Sequence, residues 1–441
     1  MNPLISTIGE KMKNLVKNFL VLIAFGLFSA GCGDSGTGTD PDATVDTDGQ
    51  IDIDSSEESD GQAHADADHN DGGATDADLT DAESCNREPG PDDVERKIVV
   101  SKPYESGGES SDIYEALDMN TEGVFSFPGT NFSLVRSTTA KIEFTPDGKV
   151  GVVPHEDGTL GVFGVENDGS VSVIHASFSG SFYASKVIMD PDGERVYVLD
   201  TQWRDNGGGI YSIKVECDGS LTEEGLWAPA QLPYAMMFLP DESRQVVVAA
   251  KDILDSEAGE NVHLLQWGQE PTLIDSVDGF GHDDFIIESF DVTQDGKYVL
   301  FGDNASFSEE PNSIAVIEVG TQTLSPVQLL SPIEDPFDIV TSPYNNAAMV
   351  ISGFGDAVLS LSYDPNNSVA PFTIGESVSS PALPAKAVSI GRGQLTGWVF
   401  ISENVGIRKL VFETDGSITD LGATGPGSGL ENMIGSIGVQ P

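Results

Sequence analysis

The sequence predicts an all-β chain, a seven-bladed β-propeller of four-stranded antiparallel blades, and three observations carry that prediction. A Pro-Asp-Gly-like turn recurs six times, Val- and aromatic-rich alternation flanks it, and the two ends of the chain supply complementary parts of one further unit. The turn reads Thr145-Pro146-Asp147-Gly148, Asp190-Pro191-Asp192-Gly193, Leu239-Pro240-Asp241-Glu242, Thr293-Gln294-Asp295-Gly296, Ser342-Pro343-Tyr344-Asn345 and Ile390-Gly391-Arg392-Gly393. Successive Pro-equivalents lie 45, 49, 54, 49 and 48 residues apart, a period that marks a repeat architecture. Asp-Gly between alternating runs is a hairpin signal, because glycine accepts the positive φ of a tight turn. A second turn, Asn167-Asp168-Gly169-Ser170, Cys217-Asp218-Gly219-Ser220 and Thr414-Asp415-Gly416-Ser417, recurs inside the units.

Taken in chain order, the first element is not part of the propeller. Lys11, Lys13 and Lys17 precede an apolar run from Phe19 to Phe28, which ends in Ser29-Ala30-Gly31-Cys32. Ten residues are about half of what a membrane-spanning helix needs, so residues 1–31 read as a signal peptide. They resemble the bacterial lipoprotein signal, with Ser29 where Leu is usual. That resemblance implies cleavage before Cys32 and a lipid on its sulfur. It also implies an anchor in the cell envelope, with the outer membrane the expected address.

Residues 32–93 follow as an acidic stretch. Between positions 33 and 93 stand 20 Asp+Glu, a single basic residue, Arg87, and no Phe, Tyr or Trp. Such a segment buries too little apolar surface to offset its ordering entropy, so a self-repelling disordered linker of ~40 Å or more is expected. The competing reading is Ca²⁺ binding at acidic loops. Its best stretch, Asp66 to Asp71, lacks both the Gly and the bidentate Glu of an EF-hand loop. No cofactor and no metal site is expected.

From residue 94 to 441 the repeat takes over. Complete units start near Lys141, Lys186, Ala235, Ser289, Asp338 and Lys386; the unit at Ser289 reads as strands over 289–293, 297–303, 313–319 and 324–330. The seventh unit joins the chain ends: residues 436–441 match an innermost strand, and 97–102, 112–119 and 124–128 the other three. Closure in one blade removes the open sheet edges that invite aggregation, and a monomer is expected. The pattern Ile188-Met189-Asp190-Pro191-Asp192-Gly193-Glu194-Arg195-Val196-Tyr197-Val198 is similar to that of the lactonase-type (YVTN-like) seven-bladed propellers. The likeness spans about residues 97–441. It implies the fold and, since some relatives are 6-phosphogluconolactonases, a lactone-handling activity as one expectation.

Function is less legible than fold. With 72 Asp+Glu against 21 Lys+Arg, the formal net charge is −51, which argues against bare nucleic acid as a partner. All short turns fall on one face, so the longer connections, among them 104–111, 203–209, 252–261, 278–287 and 304–312, fall on the other, where binding concentrates. The linker enters from the short-turn face, which leaves the long-loop face to meet a protein or small-molecule ligand. At the channel mouth on that face stand Lys141, Lys186, Ser289, Asp338 and Lys386. Three lysines there suit an anionic ligand; the alternative is that they pair with Asp338, Glu288 or Glu143. His282-Asp283-Asp284 is the best metal or acid–base cluster, with a solvated loop as its alternative. Glu288 and Glu431 precede innermost strands as candidate bases. No Gly-x-Ser-x-Gly, His-Glu-x-x-His or Walker pattern is present. Cys85 and Cys217 remain once Cys32 is lipidated, and chain reach permits a bridge between them, with two free thiols as the alternative. The leading expectation is therefore a lipid-anchored binding or interaction module; the alternatives are a lactonase-like hydrolase at the channel mouth and a structural surface protein in which the acidic linker matters most.

Overall fold

The computed structural model describes residue 85 and residues 87–441, apart from 105–109, 139, 202–207, 283–284, 305–310, 354, 356, 405 and 425–434. The signal segment, Cys32 and the linker up to residue 84 lie outside the described residues.

Valine-rich alternation forms seven four-stranded antiparallel sheets, each meandering outward from an innermost strand. Those innermost strands are Glu143–Phe144, Lys186–Met189, Ala235–Phe238, Ile287–Val292, Pro336–Thr341, Ala387–Ser389 and Ser436–Val439. All begin within two residues of the expected positions; we number the blades one to seven in this order. The fourth blade matches closely, its outer strands being Tyr298–Asp303, Ser313–Val319 and Leu324–Leu330. Its innermost strand starts two residues early because a bulge between Ile287 and Ser289 admits an extra residue. One pairing has no counterpart in the repeat pattern: Ala230–Gln231 with Asp252–Ile253, a short ladder on the long-loop side of the third blade.

Local chemistry sets the turns. Gly148, Gly193, Gly296 and Asn345 hold the same left-handed position, with φ of 69, 68, 67 and 52°. In the third blade one additional residue moves that conformation to Arg244, at φ 56°. The sixth turn is longer still and holds the 3₁₀ turn Gly393–Leu395. Asp147 and Asp295 accept the backbone N–H two residues on, as do Asp168, Asp218 and Asp415 in the second set of turns.

The ring closes as the chain ends required. Ser436–Val439 pairs antiparallel with Arg96–Tyr104, in register from Ile98↔Val439 to Ser101↔Ser436. Among the described residues the core divides into seven apolar clusters, each shared by two neighbouring blades. Val99, Tyr114, Ile142 and Phe163 form the one across the seam between blades seven and one. Side chains of this size stabilise by roughly 1.5–3 kcal/mol each on burial. Gly438 permits the seam: a Cβ there would lie 2.7 Å from the Ile142 carbonyl oxygen.

Residues 85 and 87–95 run along the short turns as a strap. Cys85 is disulfide-bonded to Cys217 in a blade-two turn, with Cα atoms 5.3 Å apart. Arg87 is buried; it donates to the Glu216 carbonyl at 2.8 Å and pairs with Asp147 of blade one at 3.5 Å. Further on, Arg392 donates to the Gly90 carbonyl (2.9 Å) and the Gln394 N–H to Asp93 (3.0 Å), both in blade six. The strap thus joins blades one, two and six across the seam before entering blade seven.

Candidate functional site in the central channel

Each innermost strand follows a long-loop connection, so its first residues stand at the long-loop end of the channel and its last ones at the short turns. The structure brings the predicted ring together there and gives its cations partners. Lys141 lies 2.9 Å from Asp338 Oδ1, across the channel from blade one to blade five. Lys386 lies 3.8 Å from Glu288 Oε2, donates to the Phe337 carbonyl (3.3 Å) and sits over the Phe337 ring. Lys186 donates to the carbonyls of Tyr234 (2.9 Å) and Ile287 (2.7 Å). Burial lowers the Lys186 ammonium to about 8, and two carbonyl acceptors hold its proton. The pairings Lys141–Asp338 and Lys386–Glu288 are therefore the second of the two expected readings. Ser289 is buried, and its hydroxyl donates to the Pro336 carbonyl at 3.0 Å.

Space appears one level further in. A cavity of about 260 Å³ lies in the short-turn half of the channel, where Lys141, Glu143, Asp291, Val340, Ser389 and Val439 contribute to its wall. This differs from an active mouth on the long-loop face. Lys186, Lys386 and Asp338 bond to other blades at the long-loop end, while Val340 and Val388, two residues on from Asp338 and Lys386, line the cavity.

Two carboxylates interrupt that apolar level. Burial pushes the Glu143 carboxyl up to about 7, against the opposing pull of the Lys141 ammonium and the Met189 N–H. Asp291 is also raised by burial, although its oxygens accept from the Thr341 N–H (2.6 Å), the Thr341 hydroxyl (2.9 Å) and the Val292 N–H (2.9 Å). Burial works against the charge of Lys141, yet Asp338, Asp291 and Glu143 together outweigh it and the net shift is upward. Asp338 is fixed in turn by the N–H groups of Ala387 (2.7 Å) and Ile339 (3.0 Å). A carboxyl that titrates near neutrality beside a held ammonium is an acid–base pair in a walled space.

Motif and turn patterns do not single out Glu143 or Asp291. The signal is nonetheless available: strand side chains alternate faces, so position 143 shares the channel side of Lys141. The other candidates are dispersed. His282 Nε2 lies 3.4 Å from Asp303 Oδ2 at the long-loop end, and Asp283 and Glu431 lie outside the described residues. Parts of the long loops, 105–109, 202–207, 305–310 and 425–434, do too. His155 and His263 are buried, held neutral by desolvation that lowers each to about 4. Among the described residues no group of three or more His, Cys, Asp or Glu is placed to hold a metal.

No protein-family model matches the chain, and no curated protein sequence does. Solved structures do resemble it. A protein of Bacteroides uniformis provisionally described as a 6-phosphogluconolactonase gives a TM-score of 0.56 at 13% identity, over 78% of this chain and 99% of that one. The periplasmic gluconolactonase of Pseudomonas aeruginosa gives 0.54 at 13%, over 79% and 99%. A hypothetical selenium-binding protein of Sulfolobus tokodaii gives 0.53 at 11%, over 76% and 93%. At these identities the likeness is one of fold, and proteins of unlike description share it.

Proposed function

We propose that this propeller binds a small cyclic ester in the short-turn half of its channel and opens it by hydrolysis. The observation that carries the reading is the placement of Glu143 and Lys141 in the wall of one cavity. In the reaction, ionised Glu143 takes a proton from water as the oxygen adds to the lactone carbonyl. The Lys141 ammonium faces the developing oxyanion, where a fixed cation is worth most. The ring C–O bond then breaks, and Glu143 returns the proton to the leaving alkoxide. The lactonase descriptions of two fold relatives accord with this chemistry without deciding it. A pH-stat assay of acid release from glucono-δ-lactone by the full chain tests the reading. Release above the spontaneous rate, lost in Glu143→Gln, is expected; equal release by both proteins refutes it.

A second reading, capture of a ligand without turnover, is favoured by the Lys141–Asp338 pair, which already engages the cation a hydrolase uses. Either activity is placed at the cell envelope, on a lipid carried by Cys32. The Cys85–Cys217 disulfide accords with an oxidising compartment. Cys32→Ala is expected to move the protein from the membrane pellet to the soluble fraction; a variant that still pellets contradicts the anchor.

A further inference from the structure

We infer that the cavity accepts an uncharged ligand and turns away anions, phosphorylated sugar lactones included, and that Asp338 sets this choice. The inference rests on the cavity being the ligand site and names the class of ligand it takes.

Among the described residues Lys141 is the only basic one in the cavity wall, and its ammonium is held 2.9 Å from Asp338. Among the described residues Asp291 and Glu143 complete the wall's charged side chains. Three carboxyl groups therefore surround one ammonium, and with Glu143 in either protonation state the cluster carries no net positive charge. The other two channel lysines cannot make up the deficit. Lys186 directs its protons to the Tyr234 and Ile287 carbonyls, and Lys386 to the Phe337 carbonyl beside Glu288. A phosphate dianion needs several converging charge-assisted donors, typically a guanidinium fork or clustered ammonium groups. No arginine among the described residues lines the cavity. Hydroxyl groups of a neutral sugar ring, by contrast, donate well to carboxylates, and the walls of Val340, Val388 and Val439 suit its C–H faces.

Asp338 is the selecting group because it bonds the ammonium directly. Its two oxygens also accept the N–H groups of Ala387 and Ile339, so an amide in its place keeps one acceptor and loses the charge. Asp338→Asn leaves Lys141 free to face an anion.

The experiment compares glucono-δ-lactone with its 6-phosphate as substrates of the full chain, and uses calorimetric titration of the isosteric glucono-lactam and of inorganic phosphate as a binding readout. The expected result is a kcat/KM at least about 100-fold higher for the uncharged lactone, since opposed like charges weaken binding steeply. Asp338→Asn is expected to narrow that ratio at least about tenfold. Faster opening of the phosphorylated lactone by the wild type overturns the inference and leaves the hydrolase reading standing. If neither lactone is opened, the hydrolase reading fails and binding decides: lactam heat with none from phosphate supports the inference, while phosphate binding, or no binding of the lactam, overturns it. Should Asp338→Asn fail to fold, the wild-type ratio and the phosphate titration still decide the matter.

Discussion

At its long-loop end the channel is tied from within. Lys186 reaches the carbonyls of two other blades, Lys386 reaches Phe337 and Glu288, and Lys141 reaches Asp338. At the short-turn end a cavity remains, and the strap holds the turns of blades one, two and six from outside. The same seven strands thus solve one problem, closing a ring about an axis, in two ways. Bonding across the axis engages the three channel lysines. Bracing the rim leaves the cavity. Under the proposed function the chemistry falls at the end the repeat pattern makes look plain.

The comparison breaks most easily through activity. Glu143→Gln is expected to lower kcat/KM for lactone opening by about 10²–10⁴-fold, the usual contribution of a positioned base. Glu288→Gln, at the tied end, is expected to leave it nearly unchanged. If the two substitutions had equal effects in the pH-stat assay, the assignment of ends would fall.

Next comes the brace. Replacing Cys85 and Cys217 with Ser opens a link between residues 132 apart. The expected loss is about 5 kcal/mol on the chain-entropy scale, read by urea denaturation. A loss below about 1 kcal/mol would mean that the polar contacts of Arg87, Gly90 and Asp93 hold the strap unaided.

Smaller again is the internal tie. Asp338→Ala leaves Lys141 and the Ala387 N–H without their partner and is expected to cost about 3 kcal/mol, below the fully buried case because Lys141 is one-third exposed. Glu288→Ala, from a longer and more exposed pair, is expected to cost under about 1 kcal/mol. Reversal of that order in urea unfolding would show that the two pairs are ranked wrongly.

Sequence makes the fold plain and the site only partly so, for physical reasons that particular residues show. A tight turn is local chemistry, so Asp147-Gly148 or Asp192-Gly193 announces itself. Blade closure is readable because Ser436–Val439 repeats six earlier strands. The ring of Lys141, Lys186, Asp338 and Lys386 follows from counting back from each turn. Glu143 is within reach of the same count, carried two residues further. The strap is not: Arg87 meets Glu216 129 residues away, and nothing local to either residue encodes that contact. Nor is the cavity, because its position depends on how far lysines on three blades extend across the axis.

The most direct test is the pH dependence of kcat/KM for glucono-δ-lactone, corrected for spontaneous opening. A base must be ionised to act, and burial holds Glu143 at about 7. The rate should therefore rise with pH, level off above about 7, and lose that inflection in Glu143→Gln. A wild-type profile that is flat through this range, or that keeps its inflection in the variant, would contradict the account.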